Sequence, residues 1–193
     1  MCGRYYVDDE MADEISRIIK NLDNRFKKVK EGDVCPSQNA LVITRKETGL
    51  SPEFMQWGFP RFDQKGLIIN ARAETVTERR TFRDSVLQRR CIIPARRYYE
   101  WDSAKEKVTF SRADSPILYM AGFHQIMQDK ERFVIITTQA NDSVRKIHDR
   151  MPLILEEQDL EEWIYNDEAV DFILARTPAA LEHYQEYEQQ TLF

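Results

Sequence analysis

The sequence predicts a single α+β domain, in which mainly antiparallel strands form the middle of the chain and helices flank them. Short apolar runs rich in β-branched and aromatic residues fill the region between residues 40 and 155. Apolar residues at helical spacing mark both ends of the chain, and strands do not alternate with helices as in parallel sheets. With 193 residues and 42% hydrophobic content, the chain can bury a substantial core in one domain, spanning 1–193.

The elements follow in order along the chain. A helix is predicted from about residue 9 to 22, because Met11, Ile15 and Ile18 recur at helical spacing. A second helix is predicted over 77–89, with Thr77 as a candidate cap, and a short one over 140–148. Strands are predicted at 40–44, 53–57, 66–70, 91–94, 97–101, 107–111, 116–123, 132–138 and 151–155. Helices are predicted again at 158–164, 167–175 and 179–187, so residues 170–193 are interpreted as an acidic helical extension.

The charge is distributed unevenly along the chain. The net charge is −5, yet residues 1–150 carry 27 Lys and Arg against 22 Asp and Glu, while residues 151–193 carry one against 11. Eight arginines fall within 72–97, where only three acidic residues occur. Arginine suits bidentate contacts to phosphate, although a solvated helix face explains the group at 79–90 equally well.

Several functional classes are disfavoured. No apolar run approaches the roughly 20 residues that cross a bilayer, and the N-terminus has no signal-like apolar segment, so a cytoplasmic protein is expected. Cys2, Cys35 and Cys91 are widely spaced and form no CxxC pair, which argues against a disulfide framework and against a zinc site. Neither a metal nor a cofactor is predicted.

Polar residues at the ends of apolar runs are candidates for chemistry. Asn70 ends one predicted strand, Glu100 lies between Tyr99 and Trp101, and His148 precedes a turn. An amide, an acid and an imidazole are the partners that a reactive thiol at Cys2 would need. Each has an ordinary alternative: Asn70 in a turn, and Glu100 at an outward position of a strand.

A series of motifs occurs along the chain: MCGRY (1–5), CPSQ (35–38), WGF (57–59), NARAET (70–75), RRCIIPARRYYEW (89–101), TTQAND (137–142) and IHDRMP (147–152). Taken together, these motifs resemble the SRAP family, the SOS-associated proteins that process abasic sites in DNA. The resemblance covers about residues 1–165 and implies a compact, barrel-like fold. Two departures are the thiol of Cys35 and the unusual C-terminal end LEHYQEYEQQTLF.

The resemblance implies a role for each matching position. Cys2, made N-terminal by loss of Met1, is expected to bond covalently to an abasic site in single-stranded DNA. The other expected catalytic residues are Asn70, Glu100 and His148. The expected DNA contacts are Arg4, Arg72 and Arg150 to phosphates, Thr137 lining the site, and Pro36 and Trp57 packing against neighbouring nucleotides.

The chemistry explains why the cysteine would need to be N-terminal. An α-amine beside a thiol can condense with the aldehyde of a ring-opened abasic sugar and close a five-membered thiazolidine ring. We expect Glu100 to act as an acid and His148 to move protons. The protein is expected to be a monomer that removes its own Met1 and uses Schiff-base chemistry of the lyase type. It is expected to shield lesions in the DNA damage response and to be associated with the nucleoid when it is bound to damaged DNA. The alternatives are a cysteine peptidase, with Cys2 as nucleophile and His148 as base, and a non-catalytic reader of modified bases.

Overall fold

The computed structural model describes residues 2–18, 31–47 and 49–185. Strands are the commonest regular elements among these residues, and nearly all of them pair antiparallel, so the predicted α+β class and barrel-like arrangement are confirmed. The strands are β1 Tyr5–Val7, β2 Gly32–Val34, β3 Asn39–Lys46, β4 Gly49–Trp57, β5 Phe59–Pro60, β6 Leu67–Ile68, β7 Asn70–Arg72, β8 Arg90–Ala95, β9 Arg97–Trp101, β10 Lys107–Ser111, β11 Leu118–Met127, β12 Lys130–Gln139, β13 Arg150–Pro152, β14 Ile154–Leu155 and β15 Glu182–Gln185. The α-helices are α1 Met11–Ile18, α2 Arg83–Gln88, α3 Leu160–Tyr165 and α4 Val170–Leu174.

Two sheets carry the fold. The first has the spatial order β15-β10-β9-β1-β2, and the second has the order β13-β12-β4-β3-β8-β11-β14. Strand β12 also pairs with β11, and it is joined in parallel by β4 and by the short strand β7. Strands β5 and β6 form a separate small hairpin. The parallel pairing of β7 fixes the position of Asn70, a predicted site residue at which β7 begins.

One continuous hydrophobic core lies beneath both sheets. Among its largest fully buried side chains are Trp57, Trp163, Tyr5, Tyr98 and Phe59. Side chains alternate across a strand, so β9 turns Tyr98 and Glu100 toward the core and Arg97, Tyr99 and Trp101 toward the opposite face of the sheet. Burial of so much aromatic surface is the main driving force for this packing.

Two predicted helices differ from the structure. The segment 77–89 is helical only from Arg83, because Thr75 accepts hydrogen bonds from the backbone N–H groups of both Glu78 and Arg79 in a turn that bends the chain. Thr77 therefore caps nothing, and α2 has no side-chain cap. Residues 140–148 form consecutive turns rather than a regular helix. The first predicted helix is confirmed as α1, and its predicted end at 19–22 lies outside the described residues.

The largest correction concerns the C-terminal segment. The helix predicted over 179–187 is wrong where the structure describes it, because residues 182–185 form β15 and pair antiparallel with β10. Tyr184 lies opposite Thr109, and the ring of His183 lies 5.8 Å from that of Phe110. Pairing satisfies the backbone groups along β10, which would otherwise be an open sheet edge. No helix in the described part of the chain is long and apolar enough to cross a bilayer.

Candidate active site

Cys2 lies at the junction of the two sheets. It is fully buried and precedes β1 of the first sheet. Asn70, at the start of β7 in the second sheet, donates its Nδ2 hydrogen to the carbonyl oxygen of Cys2 at 2.8 Å. The parallel pairing of β7 with β12 places Asn70 opposite Ile135 and so fixes its position. The predicted pair of Cys2 and Asn70 is thus brought together across 68 residues of sequence.

Glu100 is the acidic group beside Cys2. It is only 3% exposed, on the inward face of β9, which pairs with β1. Burial raises the pKa of Glu100 above its usual value, and the nearby His148 partly offsets this. Burial, followed by the charge of Glu100, raises the pKa of the Cys2 thiol, so that thiol is neutral at physiological pH. The pocket therefore presents a neutral thiol next to a carboxyl group that binds a proton more readily than an exposed one.

Three buried polar atoms near Cys2 lack hydrogen-bond partners among the described residues. They are the hydroxyls of Tyr5 and Tyr98 and the Oδ1 atom of Asn70. The two tyrosines are paired neighbours on β1 and β9, and burial followed by the proximity of Cys2 raises the pKa of each hydroxyl. Both hydroxyls therefore stay protonated and able to donate. Unpaired buried polar groups are rare in native proteins, so a cluster of them marks a place where a ligand or water supplies the missing bonds.

His148 is held by the residues that follow it. The backbone N–H of Arg150 lies 2.9 Å from its Nδ1 atom, and the carbonyl oxygen of Arg150 lies 3.1 Å from the same atom, so this nitrogen can accept from the first or donate to the second. A carboxylate oxygen of Asp149 lies 3.1 Å from Nδ1 as well. These contacts hold the imidazole ring in one position.

Arg150 is an interior residue in this structure. Its guanidinium donates to the two carboxylate oxygens of Glu74 at 2.6 and 2.9 Å and to the carbonyl of Thr137 at 2.6 Å. This bidentate contact lowers the pKa of Glu74. The predicted contact of Arg150 with phosphate is not available while Glu74 occupies the guanidinium. The arrangement instead fixes the backbone that holds His148.

The other predicted DNA contacts divide into surface and core positions. Arg72 is exposed, Pro36 is half-buried, and Arg4 lies over the ring of Trp101 with its carbon Cζ 5.5 Å from the ring centre. Thr137 is fully buried. Trp57 is fully buried too, and its indole N–H donates to the carbonyl of Ile69 at 3.0 Å.

The predicted stacking of Trp57 on nucleotides is therefore corrected. Its ring packs between Tyr5, at 5.2 Å, and Phe133, at 6.2 Å, and leaves no face for a base. The chain offers a different aromatic residue just beyond it, because Phe62 is completely exposed at the tip of the β5–β6 hairpin. Arg61 and Lys65 flank it in the sequence FPRFDQKG. An aromatic residue among charged residues after the WGF motif is the sequence pattern from which an exposed stacking residue could have been predicted.

The turn that carries Pro36 lies against the same end of β4. The backbone N–H of Ser37 donates to the carbonyl of Trp57 at 2.9 Å, and the N–H of Trp57 donates to the carbonyl of Gln38 at 2.9 Å. Cys35, at the start of this turn, is a half-buried free thiol. Among the described residues, no three His, Cys, Asp or Glu side chains come together as a metal site.

Comparison with known proteins agrees with this geometry. The model of the family described as SOS response associated peptidase, SRAP, matches residues 1–190. The chain belongs to the SRAP family. A Bacillus subtilis relative named "Abasic site processing protein YoaM" is 32% identical, over 85% of this chain and 79% of the relative. The Escherichia coli protein named "Abasic site processing protein YedK" is 26% identical, again over 85% of this chain and 79% of the relative.

Solved structures support the fold of this SRAP chain. A Bordetella bronchiseptica protein superposes with a TM-score of 0.79 at 23% identity, covering 97% of this chain and 100% of the other. A Bacteroides thetaiotaomicron protein gives a TM-score of 0.75 at 23% identity, covering 95% of this chain and 91% of the other.

Proposed function

We propose that this SRAP protein processes abasic sites, capturing the ring-opened sugar in single-stranded DNA as a thiazolidine on Cys2. One observation carries the proposal: Cys2 is buried with its carbonyl held by Asn70, beside the acid Glu100 and beside hydroxyls that lack partners. The relatives named as abasic site processing proteins support the same assignment.

The chemistry requires that Met1 be removed, so that Cys2 carries a free α-amine. The amine attacks the C1 aldehyde, and loss of one water gives an imine. The thiol then adds to the imine carbon, forming the C–S bond while the thiol proton moves to the nitrogen. The sum is one aldehyde plus one aminothiol, giving one thiazolidine and one water. Because ring closure is intramolecular, it has a large entropic advantage.

The raised pKa of the Cys2 thiol fits this order of steps. A neutral thiol does not compete with the amine for the aldehyde, and it delivers its proton at the step where nitrogen needs one. Glu100 is suited to protonate the ring oxygen as the sugar opens, since its own pKa is raised by burial. His148 then relays protons during formation of the imine, and it would assist elimination of phosphate if the imine reacts as a lyase would.

The remaining groups bind the DNA. The Oδ1 atom of Asn70 accepts a hydrogen bond from a hydroxyl of the sugar, and the hydroxyl of Tyr98 donates one to a sugar oxygen. Arg4 and Arg72 contact the flanking phosphates, and Phe62 with Arg61 offers a stacking surface in place of Trp57. Binding is independent of sequence, because an abasic site has no base to read.

A peptidase acting on other chains is the weaker assignment. A cysteine protease needs a thiolate, and such thiols have a lowered pKa. Burial raises the pKa of the Cys2 thiol instead. Within this proposal, peptidase chemistry is limited to removal of the chain's own Met1. A monomer is sufficient for capture, and the expected place of action is damaged DNA in the nucleoid during the SOS response.

The test is to incubate the protein with single-stranded DNA that carries one abasic site. We expect a band that survives a denaturing gel, with a mass equal to protein without Met1 plus DNA minus one water. Cys2→Ala abolishes this band, whereas the matched variant Cys35→Ser keeps it. Cys2→Ser keeps the amine but replaces the thiol with a less nucleophilic hydroxyl, and it yields a stable product only when borohydride reduces the imine. A band that persists in Cys2→Ala, or a wild type that forms none, contradicts the proposal.

A further inference from the structure

The outward surface of the first sheet carries aromatic and cationic side chains in alternation. We call this surface the aromatic–cation face, and it consists of Tyr6, Arg97, Tyr99, Trp101, Lys107 and Tyr184, of which Tyr99 is buried beneath its neighbours. Pairing of the strands brings these residues together: Tyr6 lies opposite Arg97, and Lys107 lies opposite Trp101. Thr109 lies between Tyr99 on one side and Tyr184 on the other.

Each cation on the face lies against an aromatic ring. The guanidinium of Arg97 is 4.0 Å from the ring centre of Tyr6 and donates to the hydroxyl of Tyr184 at 3.4 Å. The ammonium of Lys107 is 5.1 Å from the ring centre of Tyr99. Such contacts hold long side chains in place without neutralising their charge.

Among the described residues, neither Arg97 nor Lys107 forms an ion pair with a carboxylate. Acids do lie on the face toward β2, where Asp33 is opposite Tyr6 and forms a hydrogen bond with Tyr99, and where Glu31 accepts from the hydroxyl of Tyr6 at 2.6 Å. On β9 and β10 the two cations lie opposite aromatic residues instead, Arg97 opposite Tyr6 and Lys107 opposite Trp101.

The face is continuous with the Cys2 pocket. Trp101 directly follows Glu100 in β9, and Arg4, which is two residues beyond Cys2, covers its ring. From Trp101 the face extends across two strands to Tyr184, a distance of about 12 Å from strand spacing and rise per residue. Trp101 is 38% exposed and Tyr184 is 45% exposed, so both ends of this path present exposed aromatic surface.

We propose that the aromatic–cation face binds the single-stranded DNA that continues beyond the lesion, with bases stacking on Trp101 and Tyr184 and with Arg97 and Lys107 contacting phosphates. This inference rests on the proposed function and extends its DNA-binding surface beyond the pocket. Stacking rings between unpaired cations is how proteins bind single strands without sequence preference. A second copy of the chain is the less suitable occupant, because lysine is depleted from the centres of protein interfaces.

The test compares binding of long and short DNA by the double variant Lys107→Gln/Tyr184→Ser. Affinity for a long undamaged single strand should fall about tenfold, with one stacking residue lost, and the slope of log K against log salt should decrease by about 0.7. Crosslinking to a short oligonucleotide, with the abasic site at its centre and saturating protein, should proceed at the wild-type rate. The matched control is Phe172→Ser. Phe172 is also an exposed aromatic residue, at 65%, and the Cζ atom of Arg176 lies 4.9 Å from its ring centre, but it belongs to α4 and not to the face. This control should bind as the wild type does.

Unchanged affinity of the double variant for the long strand overturns the inference. A wild-type dimer in sedimentation that the double variant converts to monomer overturns it as well, and assigns the face to a second copy. Failure of the proposed function is distinguishable, because it appears as absence of a crosslink to the short oligonucleotide while the long undamaged strand still reports on the face.

Discussion

Arg90 and the pocket around Cys2 are both buried and polar, but they differ in how completely their polar groups are paired. The guanidinium of Arg90 donates to the carbonyls of Val86 at 3.2 Å and Leu87 at 2.7 Å, at the end of α2. It also donates to the carbonyl of Trp163 in α3 and to a carboxylate oxygen of Asp167 at 2.6 Å. All three of its nitrogens are used, and two helix ends are capped by one side chain.

The Cys2 pocket leaves its groups unpaired instead. The hydroxyls of Tyr5 and Tyr98 and the Oδ1 atom of Asn70 are buried without partners among the described residues. An unpaired buried group costs stability, and a protein retains it where function requires it. We infer from the comparison that Arg90 stabilises the fold, whereas the pocket groups serve the proposed capture of the sugar.

Arg90→Met should give the largest effect on stability. The variant keeps the volume of the side chain but removes every donor to the ends of α2 and α3, so we expect the free energy of unfolding to fall by about 3 kcal/mol. Crosslinking by the folded fraction should not change. Chemical denaturation measures the first quantity and the denaturing gel the second. Arg83→Met, on the exposed side of α2, is the control and should change stability by less than about 0.5 kcal/mol. Slower crosslinking by folded Arg90→Met would contradict the separation of the two sites.

Glu100→Gln should have an intermediate effect that depends on pH. The folded protein raises the pKa of Glu100 above its reference value of 4.5, so folding favours the protonated form. The stability contributed by that form is complete below pH 4.5 and is lost as pH rises through the raised pKa. The glutamine variant has no such loss. The melting temperature of the variant, relative to that of the wild type, should therefore increase as pH rises. Its crosslinking should be slower than that of the wild type.

The control for this prediction is Glu106→Gln, because Glu106 is exposed in the turn between β9 and β10. Its melting temperature should follow the wild type at every pH. A difference between Glu100→Gln and wild type that stays constant with pH would show that burial does not shift the acid. An unchanged crosslinking rate would remove Glu100 from the chemistry.

The sequence predicted the strands well because β-branched and aromatic runs report local preference and burial together. It failed at residues 182–185, where a pattern typical of a helix forms β15, because the unpaired edge of β10 decides the conformation. That edge is created by strands more than 70 residues earlier in the chain, which no local pattern records.

The candidate site shows the same limit. Motifs were sufficient to group Cys2 with Asn70 as candidate site residues, and in the structure Asn70 donates to the carbonyl of Cys2. Motifs did not reveal that Trp57 is enclosed while Phe62 is exposed, since both are aromatic residues near the WGF motif. Burial of Trp57 depends on which side of β4 faces the core, and that is a property of the assembled sheets.

Tyr98→Phe should have the smallest effect, and it tests the comparison most directly. The variant removes only a buried hydroxyl without a partner and keeps the ring stacked on Phe110 at 5.0 Å. We expect the free energy of unfolding to rise by about 1 kcal/mol, because an unsatisfied polar group is lost. Crosslinking should become slower, because the sugar loses a donor beside Cys2. A gain in the free energy of unfolding together with a slower crosslinking rate would indicate that the hydroxyl is retained for function. Arg90, by contrast, is expected to contribute to stability and not to crosslinking. If Tyr98→Phe instead loses stability, the hydroxyl is already hydrogen-bonded in the free protein through an ordered water. The polar groups of the pocket would then be paired as completely as those of Arg90.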